Sequence, residues 1–374
     1  MRPIKMVDLQ GLYLDIKSEV DLAIQQVLDG TDFIQGKAVA DFESSLSRYL
    51  GGTNVISCGN GTDALQIAMM ALDFKPGDEV ILPVHTYVAT AEVIALLNLV
   101  PVFVDVDDVT FAIDVTQIEK KITSKTVAIV PVHLYGQCAP MTAILELAKK
   151  HKLHVIEDAA QSLGADYILA DGTRMKSGTM GVIGSTSFFP TKNLGAFGDG
   201  GALFTNDKAL AEKIRMIANH GQKKKYHHEI IGVNSRLDTL QATILNVKLS
   251  RLDNYAAKRT AVADYYDEHL RGLKFIKTPE RATYSTHVFH QYTIVVNGID
   301  RDALKSYLGE KKIPSMIYYP VPLHFQRAYR RENAGPGSFP VSERLSTTVL
   351  SLPIHTEMDN EQLSYICDTI KAYE

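Results

Sequence analysis

Along the N-terminal part of the chain the apolar residues switch repeatedly between two spacings. Ile16, Val20, Ala23, Ile24, Val27 and Leu28 recur every three or four positions, which predicts a helix stopping near Gly30. Val39, Phe42, Leu46 and Leu50 predict a second one. Short Val/Ile-rich runs then alternate with helical stretches. Strands are expected over 55–58, 79–82, 101–106, 126–132 and 154–157, and helices over 62–72, 86–97, 116–122 and 141–151. The strands are continuously apolar, so both faces of the sheet are expected to be covered. A mostly parallel sheet of an α/β protein follows.

A brief strand is expected over 186–189, ended by Pro190, and another over 201–205. Helices follow over 208–220 and 237–270, the second broken once near Asn254. After Pro279 the pattern changes. Residues 292–296 alternate like an antiparallel strand, and helices close the chain over 301–308 and 360–372. We expect a large domain over 1–250 and a smaller α+β domain over 251–374, with no internal repeat.

Composition narrows the function classes. The 374 residues are 45% hydrophobic and 22% charged, ordinary for a soluble globular protein. A formal net charge of −4 gives no bulk attraction to nucleic acid or to an anionic membrane, so neither is an expected partner. No apolar run is long enough to span a bilayer, and the start, MRPIKMVDLQ, has no secretory pattern. Cys58, Cys138 and Cys367 lie far apart without a C-x-x-C pair, which argues against a zinc site and for a reducing, cytoplasmic location.

The candidate chemistry sits at strand exits, where open α/β sheets bind ligands. Lys192 lies in TSFFPTKNLGAFGDGG, residues 186–201, between an apolar run and a glycine-rich segment. A lysine desolvated there becomes a nucleophilic amine; a solvated lysine in a polar loop is the plain alternative. A P-loop is excluded, because Thr191 precedes the lysine and Asn193 follows it. The glycines do not fit a dinucleotide fingerprint either. Gly59-Asn60-Gly61-Thr62-Asp63 leads from a strand into a helix, and suits either an anion cradle or an ordinary capped turn. Tyr87 follows the next strand and could lie on a planar ligand or simply pack. Asp158 ends the 154–157 strand, where a carboxylate needs a cation, hydrogen-bond donors or a capping role. A cradle, an acid and an amine are what pyridoxal 5′-phosphate requires for its phosphate, its ring nitrogen and its Schiff base.

At these residues the sequence resembles the DegT/StrS-type nucleotide-sugar aminotransferases, of the aspartate-aminotransferase fold (fold type I of the pyridoxal-phosphate-dependent transferases). NGTDAL at 60–65, GDEVILPVHTYVAT at 77–90, VHLYGQ at 132–137, VIEDAAQS at 155–162, SFFPTKNLGAFGDGG at 187–201 and NSRLDTLQA at 234–242 carry the resemblance across the chain. It implies that Lys192 bonds covalently to the cofactor and that Asp158 pairs with the ring nitrogen. Gln161 would contact the ring hydroxyl, Tyr87 would stack on the ring, and Gly61, Thr62 and Ser187 would hold the phosphate. Asn234 would reach the phosphate in the neighbouring subunit, with Arg236 directed at the sugar there, so a homodimer with shared active sites is implied. The amino donor implied is L-glutamate and the acceptor a keto-sugar nucleotide. Relatives with histidine in place of the lysine dehydrate instead, and Lys192 argues against that branch.

Residues 57–72 and 220–242 resemble more closely the members that aminate UDP-2-acetamido-3-keto-glucuronic acid for bacterial O-antigen. Arg236 would suit the uronate carboxylate, although members acting on sugars without one also carry arginine there. His227 and His228, beside Lys223–Lys225, are candidates for the diphosphate or uronate; a solvated loop is the alternative for the lysines. Tyr318 and Tyr319 are further sugar-facing candidates, and Tyr318 departs from the histidine that close relatives often have. Amination of a dTDP-keto-6-deoxyhexose and a non-catalytic regulator on the same fold are the alternatives.

Overall fold

The computed structural model describes residues 1–329 and 334–373. Two amphipathic helices open it. α1 (Leu9–Gly30) buries Ile16, Val20 and Val27, and its cap residue Thr31 takes a left-handed conformation just past Gly30. α2 (Lys37–Tyr49) buries Phe42 and Leu46. Each such fully buried side chain stabilises the fold by about 1.5–3 kcal/mol.

The alternation then unrolls as β1 (Asn54–Cys58), α3 (Gly61–Ala71), β2 (Glu79–Pro83), α4 (Ala89–Leu96), β3 (Val100–Val104), α5 (Val115–Ile118), β4 (Thr126–Ile129), α6 (Met141–His151) and β5 (His154–Asp158). A small hairpin, β6 (Asp166–Ile168) with β7 (Arg174–Lys176), precedes β8 (Ile183–Ser187) and β9 (Gly201–Thr205). Seven of these strands form one sheet in the order β1-β9-β8-β5-β4-β2-β3. All neighbours in it are parallel except β9, which runs antiparallel to both β1 and β8. The sheet is therefore mixed and mostly parallel, as its continuous apolar strands predict.

α7 (Lys208–Ala218), the hairpin β10 (Gln222–Lys224) with β11 (His227–His228), α8 (Thr239–Leu249) and α9 (Leu252–Leu270) follow. The expected break in the long helical stretch falls at Ser250–Arg251 rather than Asn254. A three-stranded antiparallel sheet of β12 (Ile276–Lys277), β13 (Tyr292–Val296) and β14 (Val349–Leu352) carries α10 (Arg301–Glu310), α11 (Pro340–Thr348) and α12 (Asn360–Lys371). Its core of Tyr266, Phe289, Ile294, Leu304, Leu350 and Ile366 also takes in Ile4 from the other end of the chain. Arg2 holds that end in place by an ion pair with Asp359 at 2.9 Å and a hydrogen bond to the Glu357 carbonyl.

Two differences from the sequence pattern matter for the site. α4 begins at Ala89, so 86–88 form the loop that presents Tyr87. β8 ends at Ser187, because Phe188 and Ala196 bond across the loop that holds Lys192, closing it on itself.

Candidate active site

The exits of β1, β2, β5 and β8 open on one cavity of about 520 Å³. Gly61, Thr62, Tyr87, Asp158, Gln161, Ser187, Lys192, Tyr318 and Tyr319, all singled out from sequence, line it. That volume suits a cofactor-sized ligand.

At the β1 exit, Asn60 caps α3, its side chain accepting the Asp63 N–H at 2.8 Å. Among the described residues, the N–H groups of Gly61 and Thr62 meet no acceptor. A Cβ on Gly61 would stand 2.7 Å from Ser187 Cβ, so glycine is what lets the helix start approach β8. The Ser187 hydroxyl accepts the Phe189 N–H at 3.2 Å and keeps its own proton free for the cavity. Two open amides, a helix N-terminus and a hydroxyl form a cradle that fits a phosphate.

Asp158 is buried at the end of β5. Its Oδ2 accepts the Thr90 hydroxyl at 2.8 Å and its Oδ1 the Ala160 N–H at 3.1 Å. The strand beneath it is fixed by a buried pair, His133 Nε2 donating to Glu157 Oε2 at 2.9 Å. His133 Nδ1 accepts the Ala139 N–H, which sets that tautomer, and Glu157 also takes the amides of Gly178, Met180 and Gly181. Gln161 Oε1 accepts the Tyr135 N–H at 2.7 Å, which turns its amide nitrogen toward the Tyr319 hydroxyl at 3.2 Å. Tyr135 itself is held at φ 59°, a conformation that costs a residue other than glycine about 1–3 kcal/mol. Its hydroxyl donates to the Tyr318 carbonyl and lies 3.1 Å from His85 Nε2, so the strained backbone is pinned from the side-chain end.

Lys192 lines the cavity and is half-buried. Burial lowers its pKa to about 8, and attraction to Asp158 partly offsets that. His290, also in the lining, is held neutral: burial, then Lys192 and Arg259, push its pKa well down. A low lysine pKa alone does not find the site. Burial takes Lys248 to about 7, yet Lys248 sits on α8 and donates to the Gly195 carbonyl, away from the cavity. Position beside Asp158 and the cradle separates the two lysines.

The model of the DegT/DnrJ/EryC1/StrS aminotransferase family matches residues 14–371. The chain belongs to this family. It is 46% identical to a UDP-2-acetamido-2-deoxy-3-oxo-D-glucuronate aminotransferase of Pseudomonas aeruginosa, over 97% of this chain and 98% of that one. It is 44% identical to a pleiotropic regulatory protein of Geobacillus stearothermophilus, over 99% and 98%. Identity is 39% to a dTDP-3-amino-3,4,6-trideoxy-alpha-D-glucose transaminase of Streptomyces venezuelae, over 99% and 96%. Among solved structures, S. venezuelae DesV in complex with a ketimine intermediate superposes with a TM-score of 0.95 at 39% identity, over 100% and 99%. NtdA of Bacillus subtilis with bound cofactor PMP does so with 0.91 at 31%, over 100% and 85%.

Four of the aminotransferase's sequence-predicted residues lie outside the cavity lining. Asn234 is exposed, and Arg236 lines a separate cavity of about 170 Å³ with Glu43, Ser57 and Arg215. His227 and His228 are exposed on the β10–β11 hairpin, His228 Nδ1 bonding the His220 carbonyl at 2.8 Å. Ser235, between Asn234 and Arg236, anchors their segment by donating to Asp63 Oδ2 at 2.7 Å and accepting the Gly59 N–H at 2.9 Å. The sequence reading did not single out Thr90, Tyr135, Asp199, His290 or Gln291. Thr90 carried a usable signal, a polar residue inside the apolar ATAEVIAL stretch; His290 and Gln291 carried none, because only folding brings the C-terminal body over the sheet.

Proposed function

We propose that the chain is a pyridoxal 5′-phosphate-dependent nucleotide-sugar aminotransferase that moves the amino group of L-glutamate to the 3-keto carbon of a UDP-2-acetamido-3-keto-uronic acid. The observation that carries this is the opening of Lys192, Asp158 and the free amides of Gly61 and Thr62 on a single cavity. The amides and Ser187 would hold the phosphate, Asp158 would pair with the ring nitrogen, Gln161 with the ring hydroxyl, and Tyr87 would cover the ring. Lys192 is the amine that would bond to the cofactor. The bound cofactor supplies an electron sink for the pair left when a proton leaves the amino-acid Cα.

Lys192, released as a free amine, takes and returns that proton. With a pKa lowered to about 8 by burial, a usable fraction of it is neutral near pH 7, which a solvent-exposed lysine would not offer. Asp158 is kept in place by Thr90 and Ala160, so its charge meets the ring nitrogen without reorganising. The neutral imidazole of His290 adds no competing cation beside the lysine.

The active unit is a homodimer. The exposed Asn234, with Arg236, His227 and His228, serves the partner's site: Asn234 its phosphate, Arg236 the sugar, the histidines the diphosphate or uronate. Tyr318 and Tyr319 face the sugar from their own subunit. Purified protein reconstituted with the cofactor should be yellow and bleach on adding glutamate. Lys192→Ala should lose both the reducible bond and amine transfer, and retained turnover would refute its role. A protein that keeps the colour but ignores glutamate and every keto-sugar would be a regulator instead.

The second reading, amination of a dTDP-keto-6-deoxyhexose, is supported by the relative named as a dTDP-3-amino-3,4,6-trideoxy-alpha-D-glucose transaminase at 39% identity. Competing the two nucleotide sugars for the amine-loaded enzyme decides between them, and faster consumption of the deoxyhexose would defeat the uronate assignment.

A further inference from the structure

Thr90 is the second residue of α4, and all its buried helix neighbours, Ala89, Ala91, Val93 and Ile94, are apolar. Its side chain is fully buried. Valine would fill the same volume without a polar atom to satisfy, and burying a hydroxyl without a partner is costly. The hydroxyl has one: it lies 2.8 Å from Asp158 Oδ2. Among the described residues it is the sole protein donor to that oxygen, as the Ala160 N–H is to Oδ1. The main chain of Asp158 is fixed as well, its N–H donating to the Pro131 carbonyl at 2.9 Å and its carbonyl accepting the His133 N–H at 3.0 Å. The strand thus fixes where the carboxylate starts, and the two side-chain contacts fix how it is turned. One contact comes from its own β5 exit and the other from α4, which follows β2. α4 also continues the loop that presents Tyr87, so one short segment governs both faces of the site: the ring cover and the acid.

We propose that Thr90 is a positioning residue for the amine-transfer reaction, its hydroxyl orienting the Asp158 carboxylate toward the cofactor's ring nitrogen. This rests on the function proposed above. A hydroxyl donating to a carboxylate favours the charged form. Without it the carboxylate is free to turn away from the ring nitrogen, and the ring would withdraw electrons less strongly. The effect belongs to chemistry rather than to binding, because the phosphate cradle at α3 and β8 is not touched.

The test uses full-length reconstituted protein with Thr90→Val, which keeps the shape and removes the donor, and Thr90→Ser, which keeps the donor. Three quantities are read: the single-turnover rate with glutamate, the pH midpoint of the bound cofactor's visible band, and the cofactor dissociation constant. Loss of one hydrogen bond to a charged group predicts a rate about 10- to 100-fold lower in Thr90→Val. Its band midpoint should move upward, as the linkage to Lys192 becomes more basic, while the dissociation constant stays within about two-fold of wild type. Thr90→Ser should recover the wild-type midpoint and most of the rate. A Thr90→Val protein with the wild-type rate and midpoint would overturn the proposal. So would a Thr90→Ser protein as impaired as Thr90→Val, because the methyl and not the hydroxyl would then be what counts. Wild-type protein that binds the cofactor but ignores glutamate would instead sink the donor assignment, and the band titration would still decide the role of Thr90.

Discussion

Replacing Gly61 with alanine tests the cradle through a single methyl group. The added Cβ would stand 2.7 Å from Ser187 Cβ and 3.2 Å from its Cα and Oγ. Carbon atoms prefer about 3.5–4.0 Å, so the helix start must retreat from β8 by roughly 1 Å. Alanine improves the helix itself by up to about 1 kcal/mol over glycine, which works against any loss of stability. Overpacking costs about 1–3 kcal/mol, so a net loss of about 0–2 kcal/mol remains and the unfolding temperature should fall by no more than a few degrees. The displacement is felt where the Gly61 and Thr62 amides and the Ser187 hydroxyl must converge on one phosphate. Losing good geometry at one or two charge-assisted bonds, each about 1.5–3 kcal/mol, predicts cofactor affinity about 10- to 100-fold weaker or worse. Absorbance titration of cofactor-free protein measures this, with the glutamate half-reaction at saturating cofactor as control; that rate should stay within several-fold of wild type. A Gly61→Ala protein that binds the cofactor as tightly as wild type would refute the assignment of the phosphate to this turn.

Asp158→Asn should slow the glutamate half-reaction by about 10²–10⁴-fold in single-turnover absorbance traces, the range in which removing a preorganised charge acts. The same change removes the attraction that offsets burial at Lys192, so its pKa should fall further below about 8, read as a downward shift in the pH dependence of amine labelling of the cofactor-free protein. Mixing Lys192→Ala subunits with Arg236→Ala subunits should restore activity neither has alone, since each hybrid holds one site with an intact lysine and an intact partner arginine; no recovery after verified exchange would contradict shared sites. Burial takes His85 and His355 to about 4 and His287 to about 3, so the folded state resists protonating them. Their unfolded forms take up protons near pH 6.5, so stability should fall as pH drops from about 6.5 toward 4, and denaturant unfolding of His85→Gln should show a shallower decline.

The alternation of strands and helices was legible because the strands are buried on both faces and the helices on one. The β9 reversal was not, since GALFT reads as a strand whichever way it runs and only the loop through Lys192 sets its direction. Lys192, Asp158 and the Gly61-Thr62 turn could be read from sequence because each marks a strand exit with a residue that is costly or unusual there. Helix and strand ends are less legible than the elements themselves: Thr86–Val88 look helical by pattern but form the loop that presents Tyr87. Arg236, His227 and His228 stand apart from the cavity within one chain, and no periodicity could place them relative to it. Thr90 is marked in the sequence as a polar residue in an apolar stretch, but its partner is not, since that contact reaches a residue 68 positions away.

The most direct measurement is to trap the cofactor in place. Protein incubated with pyridoxal 5′-phosphate is reduced with borohydride, digested and mapped by mass spectrometry. One stoichiometric pyridoxyl group is expected, on Lys192, absent when glutamate is added before the reductant. Label on Lys248, the other buried amine of low pKa, or spread over exposed lysines with Lys192 unmodified, would contradict it.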